Sequence, residues 1–239
     1  MKLKLIPNPK KPWANELANE LKALLSPAHS FVRSGADATI CIGGDGTILY
    51  AHYKGRLEGP VLGIGGGKSY ICQLRKDNWR EGISGILAES RRESIPTLVC
   101  TLGPRSLVAL NDAVIHATHY RVAEMDVEIK GGSAESKTQF EGDGMIISTA
   151  LGSAAYAFSA GGDRLAPTER KLSLVPICPY KRAFSPKVLD EGSRITVTVG
   201  NDCAFIIDGI FVRRLRKGEA VMIRKGPALA FFEGVGKHY

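Results

Sequence analysis

Short apolar segments alternate with helical segments in the first hundred residues of this 239-residue chain. Three of the apolar segments have the length and composition of buried strands, namely residues 3–6, 38–42 and 61–64. Apolar side chains recur at helical spacing in residues 13–25 and 77–87. Strands that alternate with helices are typical of a mostly parallel α/β domain, whose ligand site lies beyond the carboxyl ends of the strands. We therefore predict a Rossmann-like α/β domain over residues 1–100.

The pattern changes in the second half of the chain, where helices become scarce. Segments of strand character are separated by glycine and polar turns, at residues 97–102, 106–110, 125–130, 145–149, 194–199 and 204–207. Ile195, Val197 and Val199 alternate with polar residues, as in strands with one solvated face. We therefore predict an all-β, antiparallel two-layer domain over residues 101–225. The C-terminal segment 226–239 contains a last apolar run that is a candidate to return to the first domain.

A carboxylate among three glycines directly follows the strand predicted at 38–42, in the sequence Gly43-Gly44-Asp45-Gly46-Thr47. A helix is predicted to begin at Thr47, so the glycines lie at a strand-to-helix turn. Glycine permits positive φ values and close approach of a ligand to the backbone, and exposed amides at a helix start attract anions. Such a turn suits phosphate, which Asp45 would repel. Asp45 therefore needs a second function, either to accept a proton from a hydroxyl or to hold a divalent cation.

Composition and charge narrow the possible functions. With 44% hydrophobic and 23% charged residues the chain is typical of soluble globular proteins, and no apolar stretch approaches the roughly 18 residues needed to cross a membrane. A formal charge of +8 favours anionic partners, but no zinc-finger spacing or aromatic RNA-binding signature points to nucleic acid. The five cysteines are an odd number without a Cys-x-x-Cys pair, and no signal peptide is recognisable. We expect a cytoplasmic protein without a disulfide framework or a structural zinc site.

Three further polar motifs lie in the second half of the chain. Asn111-Asp112 could bind adenine edges or ribose hydroxyls, and the small residues and hydroxyls that follow Gly142-Asp143-Gly144, in residues 148–162, could let a flat ligand approach the backbone. The third motif is Asp208-Gly209. Each motif also has an ordinary structural interpretation. Asn111-Asp112 could be a turn or capping pair, residues 148–162 could provide close helix packing, and Asp208-Gly209 could be a hairpin turn.

The order and spacing of these motifs resemble the NAD kinase family, within the superfamily that contains diacylglycerol, sphingosine and 6-phosphofructo-kinases. Gly43 to Thr47 is similar to the family's Gly-Gly-Asp-Gly-Thr, and Asn111-Asp112 is similar to its Asn-Glu or Asn-Asp pair. Residues 143–149 match its Asp-Gly-(apolar)-Ile-Ser-Thr strand, and further matches at 159–162, 176–179 and 208–209 follow in family order. The resemblance spans most of the chain.

The resemblance implies phosphoryl transfer from ATP, or from inorganic polyphosphate, to the adenosine-side 2′-hydroxyl of NAD, giving NADP. Asp45 would be the catalytic base, and Gly43, Gly44, Gly46 and Thr47 would contact nucleotide phosphates or ribose. Mg²⁺ or another divalent cation would offset the charge of the donor. The family also implies a homo-oligomer, either a dimer or a tetramer. The implied substrate-binding residues are Asp45, Gly46, Asn111, Asp112, Arg121, Asp143, Ala154, Ala155, Tyr156 and Ser159.

Four positions depart from the family pattern. Leu151 and Ala154 replace residues with hydroxyl groups, Gly65 replaces an asparagine, and Ile210 replaces a glutamine. These departures leave two alternatives open. One is a kinase of the same superfamily that phosphorylates a different hydroxyl, on a lipid or a sugar. The other is a nucleotide-binding sensor without turnover, although a pure anion site would gain by losing the charge of Asp45.

Overall fold

The computed structural model describes residues 1–89, 91–118, 121–132 and 135–237, which form two compact units. The first unit contains Met1–Ile95 and the C-terminal segment from Leu229, and the second contains Pro96–Ala228. These limits differ by a few residues from the predicted boundaries after residues 100 and 225. The difference arises because the segments on both sides of the second unit, around Leu98 and Lys225, pair with each other in one of its sheets.

The first unit alternates strands and helices along the chain. Its elements are β1 (Lys2–Pro7), α1 (Pro12–Leu25), β2 (Ser30–Phe31), β3 (Ala38–Ile42), α2 (Asp45–Tyr53), β4 (Val61–Gly65), β5 (Leu74–Arg75), α3 (Trp79–Ala88) and β6 (Arg92–Ile95), together with the last strand of the chain, β19 (Leu229–Phe232). The strand order in the sheet is β2-β1-β3-β4-β19-β6, and β5 also pairs with β4. All of these pairings are parallel except the one between β19 and β6.

Helix α1 illustrates how the sequence builds this unit. Pro12 opens the helix, where its missing N–H costs no hydrogen bond. The buried side chains recur at spacings of three and four and therefore share one face of the helix: Ala14, Leu17, Ala18, Leu21 and Leu25. They belong to the same core cluster as Leu3, Ile40 and Leu62 from the central strands of the sheet. The hydrophobic face of the helix thus determines which side packs on the sheet.

The parallel pairing brings three strand ends together at one edge of the sheet. Pro7 at the end of β1 lies opposite Ile42 at the end of β3, and Ile42 lies opposite Ile64 near the end of β4. The residues that follow these strands therefore share this edge. They include Asn8, the glycine turn that begins at Gly43, and the glycine-rich loop that begins at Gly66.

The second unit consists mainly of strands. They are β7 (Leu98–Leu102), β8 (Arg105–Ala109), β9 (Asp112–Ala117), β10 (Ala123–Lys130), β11 (Ser136–Gly142), β12 (Gly144–Thr149), β13 (Lys171–Ile177), β14 (Lys187–Asp190), β15 (Arg194–Val199), β16 (Cys203–Ile207), β17 (Ile210–Leu215) and β18 (Ala220–Lys225). They form two sheets, with strand orders β11-β10-β15-β18-β7-β8 and β14-β13-β12-β9-β16-β17. Every strand pairing described in this unit is antiparallel, as predicted.

Short helices follow β12 in the second unit. A 3-10 turn spans Gly152–Ala154 and α4 spans Tyr156–Ser159. Ala157 of α4 packs on a small core of β9, β12 and β13 that includes Val114, Ile146 and Val175. The close packing expected for the alanine-rich stretch is therefore present. Among the described residues, no helix combines the length and apolar character needed to span a membrane.

Candidate active site

The glycine turn after β3 requires glycine at its first two positions. Gly43 has a φ of 144° and Gly44 a φ of 101°, values that side-chain-bearing residues rarely adopt. A Cβ atom on Gly43 would lie 2.5 Å from both Asn8 Cβ and Thr47 Oγ1. The Gly43 N–H donates to the Ile64 carbonyl at 2.9 Å, which fixes the turn to β4. Both glycines are therefore required by the fold itself.

Asp45 is the first residue of α2, and the loop after β4 holds its carboxylate in place. Its Oδ2 accepts the Tyr70 N–H at 2.7 Å, and its Oδ1 accepts the Ile71 N–H at 3.0 Å. The side chain is only partly buried. Each carboxylate oxygen can accept a second hydrogen bond, so Asp45 is oriented by the loop and still has capacity to accept a proton.

An open cleft surrounds this carboxylate. Its lining residues come from the three strand ends described above: Asn8, Lys11, Gly43, Gly44, Asp45, Gly46, Thr47, Gly66, Gly67, Lys68 and Ser69. Lys11 donates from Nζ to the Gly43 carbonyl, so its ammonium group lies at the turn. Asn8 donates from Nδ2 to Thr47 Oγ1 at 3.1 Å. Asp45 is the one carboxylate among these lining residues, and Lys11 and Lys68 are the cations.

Two glycines of the cleft have no role in the fold that the structure explains. Gly46 and Gly66 lack the positive φ values of Gly43 and Gly44. A Cβ atom on either would meet no heavy atom within 4 Å. A side chain at these positions would occupy the open cleft and nothing else. These glycines therefore keep space free at the backbone next to Asp45.

The conformation of the loop after β4 explains one departure from the family pattern, the glycine at position 65. A Cβ atom on Gly65 would lie 2.2 Å from Ser69 Oγ and 2.9 Å from Cys72 Sγ. Ser69 thus folds back into the space that a side chain at position 65 would need. Arg75 donates from Nη1 to the carbonyls of Gly66 and Gly67, at 3.2 and 2.5 Å, and holds the loop. The asparagine typical of the family does not fit this loop conformation.

In the second unit, Asp208 organises the backbone around Asn111 and Asp112. Its Oδ1 accepts the N–H groups of Asn111 at 2.7 Å and Asp112 at 3.1 Å, and its Oδ2 accepts the Leu110 N–H at 2.9 Å. Asp208 and Gly209 have φ values of 51° and 76° and join β16 to β17 as a two-residue hairpin turn. The predicted hairpin turn is present, and its carboxylate also holds the predicted Asn-Asp pair.

The Asn-Asp pair is held from its other side by the segment after β12. Thr149 Oγ1 donates to the Leu110 carbonyl at 2.8 Å and accepts the Gly152 N–H at 3.0 Å. A Cβ atom on Gly152 would lie 2.1 Å from the Asn111 carbonyl oxygen, so this close approach requires glycine. The Asn111 side chain is buried, and its Oδ1 has no hydrogen-bond partner among the described residues. A buried acceptor without a partner is suited to a ligand donor.

Asp112 has an unusual titration. Burial of the side chain and, to a smaller extent, the charge of Asp208 raise its pKa from 3.8 to about 7. Across the strands, Asp112 lies opposite Ser148, and Ser148 lies opposite Ser173. Both serines are buried, and neither hydroxyl has a partner in the described part of the chain. Because the pKa of Asp112 is about 7, its neutral and ionised forms coexist near neutral pH.

Asp143 lies beside Ala117, at the other end of β9 from the Asn-Asp pair, and Tyr156 begins the short helix α4 that packs on the same strands. The pKa of Tyr156 is raised, mainly by burial and to a smaller extent by the charges of Cys178, Asp112 and Asp143. Cys178 has a φ of 44°. Its thiol is hydrogen bonded to Asp143, which raises the pKa of the thiol. Tyr156 remains 42% exposed.

The remaining predicted residues of this unit lie close to Tyr156 along the chain or in a separate cavity. Ala154 and Ala155 directly precede α4, and Ser159 ends it, with Oγ at 3.4 Å from the Ala155 carbonyl. Arg121 instead lines a cavity with Thr118, Glu124, Gly200, Asn201, Asp202 and Lys217. No other predicted site residue is among those that line this cavity.

Sequence reasoning missed several residues of the cleft. Asn8 and Lys11 were not assigned to a site, although they follow a predicted strand just as the glycine turn does. Lys68 and Ser69 were not assigned to a site either. The position of these residues after parallel strands was a signal that could have identified them.

A sequence model of the ATP-NAD kinase C-terminal domain matches residues 110–232, which are more than half of the chain. The chain belongs to the NAD kinase family. An NAD kinase of Prosthecochloris aestuarii is 31% identical over 213 residues, which cover 84% of this chain and 72% of that relative. An NAD kinase of Clostridium perfringens is 34% identical over 204 residues, covering 79% and 71% of the two chains.

Solved structures of NAD kinases and NADH kinases have the same fold. The crystal structure of yeast NADH kinase complexed with NADH superposes with a TM-score of 0.86 at 17% identity, covering 100% of this chain and 85% of that one. The NAD kinase from Archaeoglobus fulgidus in complex with ATP gives a TM-score of 0.82 at 23% identity, covering 98% and 94%. At these identities the likeness establishes the fold that this family member shares with them.

Proposed function

We propose that this protein transfers a phosphoryl group from ATP to the 2′-hydroxyl of the adenosine ribose of NAD, giving NADP. Membership of the NAD kinase family supports this reaction. The complexes of relatives with ATP and with NADH support the two classes of substrate. The observation that carries the proposal is the placement of Asp45, the one carboxylate among the residues that line the glycine-rich cleft.

Asp45 acts as the general base in this proposal. A hydroxyl becomes an effective nucleophile when a positioned carboxylate takes its proton, which typically contributes about 10²- to 10⁴-fold to the rate. The N–H groups of Tyr70 and Ile71 orient the carboxylate before substrate arrives. Because the loop fixes this orientation, little is lost in ordering the base during the reaction.

The phosphoryl donor binds beside this base. Gly43, Gly44, Gly46 and Thr47 offer the backbone and side chain of a helix start to the phosphates, where the helix dipole favours negative charge. A divalent cation such as Mg²⁺ would accompany the donor as its counter-ion. Such a cation is usually held by one or two carboxylates and the substrate phosphates, which fits a cleft with Asp45 as its one carboxylate. When bound, the cation neutralises charge on the phosphate chain.

The second unit binds NAD through the residues that the resemblance implied. The unpartnered Oδ1 of Asn111 and the carboxyl group of Asp112 supply hydrogen-bonding groups for ribose or nicotinamide. Tyr156 extends this surface, together with Ala154, Ala155 and Ser159, whose small side chains leave the backbone accessible. Asp143 contacts the dinucleotide from the other end of β9. Arg121 contributes a positive charge for the phosphates of the dinucleotide.

Three broader features belong to the same proposal. The first unit serves as a Rossmann-like nucleotide-binding domain, which its parallel strand pairings support. The protein works in the cytoplasm, in keeping with its free cysteines. It assembles as a homo-oligomer, as the family resemblance implied.

The test is the formation of NADP by the purified protein with ATP, Mg²⁺ and NAD. Asp45→Asn removes the base and lowers kcat by about 10²-fold or more. The matched control is Asp77→Asn, which removes an exposed carboxylate of the same unit and leaves kcat unchanged. Circular dichroism checks that both variants fold. The absence of NADP with the wild-type protein, or wild-type turnover by Asp45→Asn, would refute the proposal.

A further inference from the structure

A second cavity adjoins the cleft at Asp45 at the start of α2. This second cavity is lined by Ile6, Pro7, Asn8, Pro9, Lys10, Gly46, Thr47, Tyr50, Ala51 and Arg56. Asn8, Gly46 and Thr47 line both cavities. The two cavities therefore adjoin each other at the first turn of α2 within the first unit, and we refer to them together as the groove. We call its two ends the lysine end, with Lys11 and Lys68, and the tyrosine end, with Tyr50.

The lysine end has the chemistry of a phosphate-chain site. Lys68 is exposed, and no carboxylate in the described part of the chain pairs with it. Lys11 uses one N–H on the Gly43 carbonyl, which leaves further donors on the same ammonium group. The two lysines come from the segment after β1 and the loop after β4, so they reach the glycine turn from different strands. The only acidic group of this end is Asp45.

The tyrosine end has a different character. Ile6, Pro7, Pro9 and Ala51 give it apolar walls, and the Tyr50 ring is 51% exposed at its edge. An exposed aromatic side chain beside an apolar cavity can stack on a nucleobase. At Tyr50 the base would share the ring with Lys54, whose Nζ lies 5.6 Å from the ring centroid. Lys10 and Arg56 add positive charge to this end.

We propose that the groove binds the nucleoside triphosphate in one direction, with its phosphate chain between Lys11 and Lys68 and its base against Tyr50. The proposal rests on the function proposed above and adds the residues that select the donor. The direction follows from the chemistry, because the terminal phosphate must lie beside the base that activates the acceptor. Asp45 lines the lysine end and not the tyrosine end. Gly46 lies where the two ends of the groove meet and leaves room for the phosphate chain of the nucleotide to pass.

Binding measurements with two probes separate the two ends. We use isothermal titration calorimetry with ATP and with inorganic tripolyphosphate, each with Mg²⁺ and without NAD. Tyr50→Ala should weaken ATP binding about 5- to 100-fold, as expected for loss of base stacking, and should change tripolyphosphate binding less than about twofold. Lys68→Ala should weaken both probes about tenfold, because it removes a charge-assisted contact.

The controls keep these outcomes decisive. Lys22→Ala removes an exposed lysine of α1 outside the groove and should leave both affinities unchanged. Tyr50→Phe keeps the ring and should bind ATP like the wild type, which separates stacking from any effect on folding. The proposal is overturned if Tyr50→Ala affects both probes equally or neither. It is also overturned if Lys68→Ala binds tripolyphosphate like the wild type, or if the wild type does not bind tripolyphosphate.

Failure of this inference is distinguishable from failure of the proposed function. The binding experiment contains no acceptor and measures no turnover, whereas NADP formation tests the reaction. A protein that forms NADP but shows no probe-specific effect of Tyr50→Ala refutes the donor orientation alone. A protein that shows the predicted binding pattern without forming NADP refutes the acceptor alone.

Discussion

Gly46→Ala should make the protein more stable and less active at the same time. Gly46 is the second residue of α2, its φ is not positive, and an added Cβ atom would meet nothing within 4 Å. Alanine in place of such a helical glycine gains about 0.5–1 kcal/mol, because the unfolded chain loses less conformational freedom on folding. For a chain of this length that gain raises the melting temperature by about 1–4 °C.

The effect on activity should have the opposite sign. The added methyl group would stand in open space at a residue that lines the groove beside Asp45, where the donor phosphates are proposed to approach the backbone. A displacement of about 1 Å at a reacting centre can cost about 100-fold in rate, or about 2.7 kcal/mol of transition-state stabilisation. We expect kcat/KM for ATP to fall by about this factor, measured as NADP formation at saturating NAD.

Gly85→Ala is the matched control for this prediction. Gly85 lies on the exposed face of α3 and, like Gly46, has space for a Cβ atom. The substitution should give a similar gain in melting temperature without any change in kcat/KM. If Gly46→Ala were as active as Gly85→Ala, the groove at Gly46 would not be the path of the donor, and the reasoning would be refuted. If Gly46→Ala were destabilised, the structural account of this glycine would be wrong.

Two further predictions concern the second unit. Asp208→Asn keeps a residue that tolerates the positive φ of this turn but replaces one accepting oxygen by an NH₂ group. The free energy of unfolding should therefore fall by about 1–3 kcal/mol, and NAD binding measured by calorimetry should weaken. Equal stability of this variant and the wild type would contradict the role of the carboxylate. Because the pKa of Asp112 is higher in the folded state than in the unfolded chain, protonation of Asp112 stabilises the folded state. This stabilisation is fully present below pH about 4 and is lost as the pH rises to about 7. Relative to Asp112→Asn, the wild type should lose up to about 4 kcal/mol over this range in pH-dependent thermal unfolding, and parallel curves for the two proteins would refute the shift.

The central strands of the first unit were predictable because burial on both faces produces continuous apolar runs. Every residue of β3 and β4 is buried, so periodicity and length were enough to identify both strands. The glycine turn was predictable for a related reason, since a positive φ at Gly43 and Gly44 excludes most other residues. In both cases a local physical constraint leaves a visible mark in the sequence.

The structural role of Asp208 could not be predicted in the same way. Its sequence neighbours indicate only a hairpin turn, but its carboxylate binds backbone N–H groups 96 to 98 positions earlier in the chain. Lys11 and Lys68 are an intermediate case, because an isolated lysine looks like solvated surface and only its position after a parallel strand points to a site. Only the pairing of β1, β3 and β4 brings the segments that carry them to one edge of the sheet. Contacts between distant segments leave no local pattern to read.

The glycines around Asp45 look alike in the sequence, but in the structure they fall into two groups, those that the backbone requires and those that it does not. Gly43 and Gly65 are needed by the backbone, since a side chain there would collide with Asn8 or with Ser69. Gly46 and Gly66 face open space at ordinary backbone angles, so folding alone would favour a larger residue at these positions. Gly85 has the same freedom outside the cleft, so the argument for a ligand at Gly46 and Gly66 rests on their place among the residues that line the cleft. The second pair therefore lies on the path proposed for the donor, and Gly46→Ala tests that path, whereas a side chain at either glycine of the first pair would disturb the backbone itself.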